Sequence, residues 1–253
     1  MKKNLVSAKT VFLKKNYYTP KEEITYSLQD ALDKHLKASS LSIRYTKLED
    51  INFIGRDFEI VDFERVEFID TDFRNASFKE VNFYNCTFIG TVFKCGKLNK
   101  TSFYECKFYD CVFENLATKN VYFQASSFND VVFENIRTSK LDINRCSILS
   151  SSFINFSGFN FIISSSVLKE CKLEKMYDKK IDEENKNFFR IMFSSVVDSS
   201  LDSVNIARLY KSYIVSSFLK NMDFLSPHFK QSLIRCETTL EDVIDGVYNL
   251  CKE

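Results

Sequence analysis

From about residue 41 to residue 175, a bulky apolar side chain returns every five residues. Phe53, Phe58, Phe63, Phe68, Phe73, Phe78, Phe83, Phe88 and Phe93 follow one another without a break, and Leu98, Phe103, Phe108 and Phe113 continue the series. Of the 27 fifth positions from Ile43 to Leu173, only Thr118, Thr138 and Gly158 are not bulky and apolar. Neither regular element explains this step. On an α-helix it would rotate each Phe by about 140° and leave no stripe. On a flat strand, successive Phe would point to opposite faces. A chain that turns a corner every five residues does satisfy it. Four sides then close a square coil of about 20 residues whose fifth residues face the axis, with coils stacked roughly 4.7–4.9 Å apart. Each coil can bury its apolar side only against its neighbours.

The repeating units include Val61-Asp62-Phe63-Glu64-Arg65, Thr71-Asp72-Phe73-Arg74-Asn75, Val81-Asn82-Phe83-Tyr84-Asn85 and Thr101-Ser102-Phe103-Tyr104-Glu105. Two residues before each centre sits a small or β-branched residue: Val61, Val66, Thr71, Ala76, Val81, Cys86, Thr91. This pattern resembles the pentapeptide repeat family. The resemblance implies a right-handed quadrilateral β-helix of about 6–7 coils over residues 41–177. Local departures are Gly96 and Ser126 before their centres, the three weak centres, and bulky Phe156 and Phe161, which would distort the last coils.

The flanks break the phase. Residues 1–40 are expected to form a cap. Val11-Phe12-Leu13 reads as a short strand able to pair with the first coil. Thr19-Pro20-Lys21-Glu22-Glu23 reads as a helix start, with a helix over about 20–37. Residues 178–253 are expected to form an α-helical module. One helix would carry Phe188, Phe189, Met192, Phe193, Val196 and Val197 behind Asp182, Glu183 and Glu184, and a second Leu201, Val204, Leu209, Tyr210, Tyr213, Ile214 and Phe218. A third would start at Ser226-Pro227 and include Phe229, Leu233 and Ile234. A fourth would follow the capping-box pattern Thr238-x-x-Glu241. A homodimer through these helices is the expected oligomer.

Composition bounds the function. Net charge over 253 residues is +1, so global charge points to neither nucleic acid nor a wholly acidic mimic. The start lacks a signal-peptide pattern and no stretch approaches a membrane span, so the cytosol is the expected compartment, a secreted bacterial effector being the alternative. Of the eight Cys, Cys86, Cys106, Cys111, Cys146 and Cys171 fall two before a centre and read as small buried hydrophobes. No Cys-x-x-Cys pair occurs, so neither zinc nor any other metal or cofactor is expected. The two His, His35 and His228, lie outside the repeat. With no nucleophile elbow or phosphate-binding loop, catalysis is not expected.

Folding the chain back by 20 residues makes surfaces visible. The weak centres Thr118, Thr138 and Gly158 fall in one column with Phe58, Phe78 and Leu98, a face of eroded packing, beside a basic stripe of Lys79, Lys97, Lys100, Lys119, Arg137 and Lys140. Residues 49–80 hold ten acids, including Asp57, Glu59, Asp62, Glu64, Glu67, Asp70 and Asp72, against four basic residues, a local charge of −6. Residues 81–177 come to about +3. Ile69, Ile89 and Tyr109 form one outward column, and Tyr84 and Tyr104 its neighbour, a candidate apolar contact for a protein partner. The expected function is therefore a non-catalytic protein–protein interaction scaffold. The alternative, which the family resemblance implies, is a DNA mimic that binds a type II topoisomerase and protects or inhibits gyrase. Direct binding of nucleic acid by the basic stripe ranks below both.

Overall fold

The computed structural model describes residues 11–13, 41–176, 189–206, 208–220, 223–224 and 233–235. It is a β-solenoid of about eight turns. Four faces repeat around each coil. Face 1 stacks Leu41–Arg44, Val61–Glu64, Asn82–Tyr84, Ser102–Tyr104, Val121–Gln124, Leu141–Asn144, Phe161–Ser164, Phe189–Met192 and Arg208–Tyr210. Face 2 runs from Lys47–Glu49 to Leu233–Arg235. Face 3 starts with the bridges Asn52↔Asp72↔Val92 and continues to Phe218–Lys220. Face 4 runs from Asp57–Glu59 through Arg137–Thr138 to Gly158 of Ser152–Gly158, the long strand that joins faces 3 and 4, and is taken up again where Asn205 and Ile206 pair with Asp223 and Phe224. Strands within each face are parallel and in register, Phe63 beside Phe83, Phe103 and Phe123. The expected N-terminal strand is present: Val11–Leu13 pairs antiparallel with Leu41–Ile43 at the rim of face 1. The helix expected over 20–37 lies outside the described residues.

The register follows from the core. Nearly every centre and the residue two before it point inward and are buried, Ile51, Arg56 and Gly158 being half-buried; the other three positions of each unit point outward. Phe rings stack along the axis at strand spacing, as in Phe83–Phe103 at 4.7 Å and Phe103–Phe123 at 4.6 Å. Around each coil they meet edge to face, as in Phe83–Phe88 at 5.4 Å and 69°. Offset stacking and T-shaped contact are the two arrangements favoured by the ring quadrupole, and each pair adds about 0.5–1.5 kcal/mol to simple burial. A slip by one residue would turn every ring outward.

The corners are a structural element the repeat did not advertise. The residue two after nearly every centre has a left-handed backbone, with φ of 45–58° at 29 non-glycine positions among the described residues. Twelve of these are Asn or Asp, the side chains that tolerate this region best. Corner amides still bond to the next coil, as Asp70 N–H does to the Ile89 carbonyl at 2.9 Å.

Two expectations for face 4 are half right. Thr118, Thr138 and Gly158 do stack in one column above Leu98. The packing there is not eroded, because bulk moves to the other inward position. Ala76 and Gly96 accompany Phe78 and Leu98, whereas buried Leu116, Ile136 and Phe156 accompany Thr118, Thr138 and Gly158. Gly96 and Gly158 are required: a Cβ on either would press into the carbonyl oxygen of Ala76 or Thr138 one coil below. Ser126 is equally orderly. Its Oγ accepts the Cys106 N–H at 3.1 Å and donates to the Gln124 carbonyl at 3.1 Å, and Ser151, Ser166, Ser194, Ser199, Ser212 and Ser217 accept from the coil below in the same way.

The C-terminal helices are overturned where the structure describes the chain. Phe189–Met192, Ser195–Val197, Ser200–Ile206, Arg208–Tyr210, Tyr213–Val215 and Phe218–Lys220 are strands that continue the solenoid. The third expected helix likewise gives a strand at Leu233–Arg235, and the fourth lies outside the described residues. The five-residue rule persists with its phase shifted. Neighbouring coils are offset by 28 residues across Ser166–Ser194 and by 18 across Ser194–Ser212. The centres are then Ile191, Val196, Leu201 and Ile206, followed by Leu209, Ile214 and Leu219. Phe193 and Phe218, assigned to helical faces, are about half exposed. β-Branched Ile191, Val196, Val197, Ile214 and Val215 favour strands and resist helix. A homodimer through helices loses its element in this stretch.

Ile60 is the one β-branched residue at a left-handed corner among the described residues, with φ 55° and 42% exposure. Replacing it with Asn removes a steric cost of about 1 kcal/mol. The Ile60→Asn variant is therefore expected to unfold at higher urea than wild type, whereas the similarly exposed Ile54→Asn should not. A lower midpoint for Ile60→Asn would contradict the corner assignment.

Candidate interaction surfaces

Because inward positions are taken by the core, all recognition chemistry must sit on the three outward positions of each unit. The apolar candidates occupy them. Ile69, Ile89 and Tyr109 are in register on face 2, and Tyr84 and Tyr104 on face 1. Tyr84 and Tyr104 adjoin the corner at Asn85 and Glu105 that separates the two faces, and Ile69, Ile89 and Tyr109 stand at the far edge of face 2, beside Asp70, Gly90 and Asp110. Tyr84, Ile89 and Tyr109 are each 37% exposed, and Ile69 and Tyr104 are half-buried. The Tyr84 and Tyr104 rings stack at 5.4 Å with 9° between planes. Partial burial, with the nearby Asp62 carboxylate and Tyr104, raises the Tyr84 phenol above its usual pKa. The two rings thus lie flat against each other.

The acidic residues do not share a face. Asp57 and Glu59 lie on face 4, Asp62 and Glu64 on face 1, Glu67 on face 2, Asp70 at the next corner and Asp72 on face 3, so they form a girdle. Much of it is neutralised locally. Glu64 pairs with Arg44 at 3.0 Å, Glu59 with Lys79 at 2.5 Å and Asp72 with Arg74 at 2.6 Å, while Asp62 accepts from Asn82. Partial burial pushes the Asp72 carboxyl up, but its bonds to Arg74 hold it below the usual range overall.

The basic stripe does share a place, on face 4 and its exit corner. Lys97 and Arg137 flank Ala117 in one column, Lys79 and Lys119 flank Asn99 in another, and Lys100 and Lys140 lie two coils apart with Asn120 between them. Lys79 and Lys100 are paired with Glu59 and Glu80 of the preceding coils, and Lys140 lies 4.9 Å from the Tyr122 ring.

Three surfaces escaped the sequence. Asp50, Asp70, Asp110, Asp130, Glu170 and Asp198 occupy the corner between faces 2 and 3, an acidic edge running nearly the whole solenoid. The fold-back by 20 would have displayed most of it; only the later phase shift hid Asp198. The C-terminal coils expose Phe159, Val167, Phe193, Tyr213 and Phe218, and a helical assignment had disguised the last three. The same coils place Arg190 beside Arg208 on face 1.

Among the described residues, Cys86, Cys106, Cys111, Cys146 and Cys171 are reduced and buried, as expected, and Cys95 is exposed at a corner. Burial pushes the Cys111 and Cys146 thiols up to about 12 and Cys171 to about 11. At pH 8 these groups are thiols, not nucleophilic thiolates. Native alkylation followed by peptide mapping should therefore mark Cys95 and spare these three until denaturant is added. Ready native labelling of Cys111 or Cys146 would contradict the packing.

Residues 57–94 match the family model described as pentapeptide repeats, in eight copies. No curated protein matches the chain. Among solved structures, the chain is similar to HetL, a pentapeptide repeat protein involved in heterocyst differentiation regulation from the cyanobacterium Nostoc sp. strain PCC 7120. Identity is 12%, coverage 79% of this chain and 92% of HetL, and the TM-score 0.39. It is also similar to full-length QnrB1, a plasmid-mediated fluoroquinolone resistance protein, at 12% identity, 76% and 93% coverage and a TM-score of 0.28. Among the described residues, no helix is long and apolar enough to cross a membrane. Residues 57–94 thus carry pentapeptide repeats by family-model match, and the same five-residue register runs on either side of them from Ile43 to Leu173.

Proposed function

We propose that the protein is a non-catalytic interaction scaffold that docks a protein partner on the corner between faces 1 and 2. The observation that carries this is the cluster Ile69, Tyr84, Ile89, Tyr104 and Tyr109: apolar groups on consecutive coils, outward, in a repeat whose own core already holds a Phe at nearly every centre. Aromatic side chains at the centre of a surface patch are the usual anchors of protein contacts. Presenting them on stacked strands leaves little conformational entropy to lose on binding. The acidic girdle and the basic stripe orient the encounter. In a nuclease-treated native lysate, the tagged Tyr84→Ala/Tyr104→Ala variant should retain at least tenfold less of a protein that wild type captures, at unchanged melting temperature. Equal retention of every captured protein removes the patch from the function.

A second reading is a DNA mimic that engages a type II topoisomerase. The acidic edge Asp50, Asp70, Asp110, Asp130, Glu170 and Asp198 favours it. It ranks second because coils about 4.8 Å apart place these charges far more sparsely than the one per ~1.7 Å of duplex DNA. Reversing Asp70, Asp110, Asp130 and Glu170 to Lys should abolish an effect on gyrase supercoiling. Absence of any such effect in the wild type rules the reading out.

A further inference from the structure

We propose that Arg190 and Arg208, adjacent on the last coils of face 1, form a binding site for a phosphate-type oxyanion. The two residues are register partners on neighbouring parallel strands, which sets their backbones about 4.8 Å apart. Like charges in that relation destabilise a sheet unless a counter-charge lies between them.

Elsewhere the solenoid supplies one. Cations on one coil meet acids of the next in Arg44–Glu64, Glu59–Lys79, Glu80–Lys100 and Lys94–Glu114. At Arg190 and Arg208 no described carboxylate forms an ion pair. The Arg190 Nη2 donates to the Asn160 Oδ1 at 3.2 Å, which fixes the guanidinium plane, while its Nε–H is buried with no partner. Orphaned guanidinium donors of this kind carry a large desolvation cost, and a tetrahedral oxyanion satisfies them with charge-assisted bonds.

Arg208 is held in turn, its Cζ lying 5.4 Å from the Tyr210 ring. Lys211 adds a third cation, its Nζ 5.5 Å from Tyr210 and 5.9 Å from Phe193. The Phe193 and Tyr210 rings meet edge to face at 5.2 Å and so fix each other. The acid in the same column is Asp142, two strands below Arg190 with Ile162 between them. Burial lowers the Arg190 pKa, the charge of Arg208 lowers it further, and Asp142 opposes both less strongly. The anion therefore belongs on the Arg208 side, away from Asp142.

The test uses the full chain and inorganic phosphate, with potassium chloride at matched ionic strength as reference. At about ten times its Kd, phosphate should raise the melting temperature by roughly 3 °C over chloride. The Arg208→Gln variant should lose that rise, yet melt in chloride no lower than wild type, because the like-charge contact has gone. Lys97→Gln, on face 4, should keep the rise. AMP distinguishes the source of the phosphate: tighter binding of AMP than of inorganic phosphate assigns a nucleotide, with Tyr210 and Phe193 at hand for the base, and equal binding assigns free phosphate. Either result supports the site. A wild-type response no larger than in chloride, or a rise that persists in Arg208→Gln, overturns it.

Discussion

Everything in this molecule depends on one backbone constraint: a left-handed residue every fifth position, which turns the strand and returns the chain to the same face after four turns. Once the corners are set, nearly all hydrogen bonds of a coil run along the axis to its neighbours, and no coil is stable alone. The Phe rings then stack because the strands do. Their 4.6–5.2 Å centroid spacing is the inter-strand spacing with a small offset. The core is not a globule assembled from distant segments but four columns, each continuous from coil to coil. A change in one column is answered within that face, as Leu116, Ile136 and Phe156 answer Thr118, Thr138 and Gly158.

That local compensation explains which parts of the fold were legible. From Ile43 to Leu173 a single phase and a single dominant residue type made the architecture readable without coordinates. Beyond Met176 the same architecture continues, but the phase moves twice and the centres become Ile, Val and Leu, which also suit an amphipathic helix. Phe189, Met192, Phe193 and Val196 fit helical spacing by coincidence: the structure buries Phe189 and Val196 and exposes Phe193. Across an eight-residue lengthening of one coil and a two-residue shortening of the next, the bonds from coil to coil persist, Ser166 N–H donating to Ser194 and Ser194 N–H to Ser212. The serine ladder was a second available signal. Ser151, Ser166, Ser194, Ser199, Ser212 and Ser217 keep the inward position through both shifts, and a search for Ser two before a bulky apolar residue would have followed the coils to Leu219.

The surface columns were legible to the same extent as the register. Tyr84 with Tyr104, and Ile69 with Ile89 and Tyr109, came out as placed because no insertion separates them. The pairing of Arg190 with Arg208 was not legible, because their separation of 18 residues appears only once the shortened coil is known. The quenching of the acidic girdle was also hidden. It requires knowing that Glu59 and Lys79, or Arg44 and Glu64, are vertical neighbours whose side chains lean together.

The corner rule also ranks the surfaces as signals of function. A left-handed corner selects Asp and Asn for conformational reasons, so part of the acidity along the edge from Asp50 to Asp198 is what the fold itself demands. The positions immediately before and after each centre carry no such demand. They are extended, outward and open to any polar residue, and water would favour Thr, Lys or Glu there. Tyr84, Ile89, Tyr104 and Tyr109 stand in those unconstrained positions, as does Arg208 beside Arg190. Side chains that neither the corner nor the core requires are the ones whose presence calls for a partner, and Tyr84 with Tyr104 and Arg190 with Arg208 are two such places on face 1.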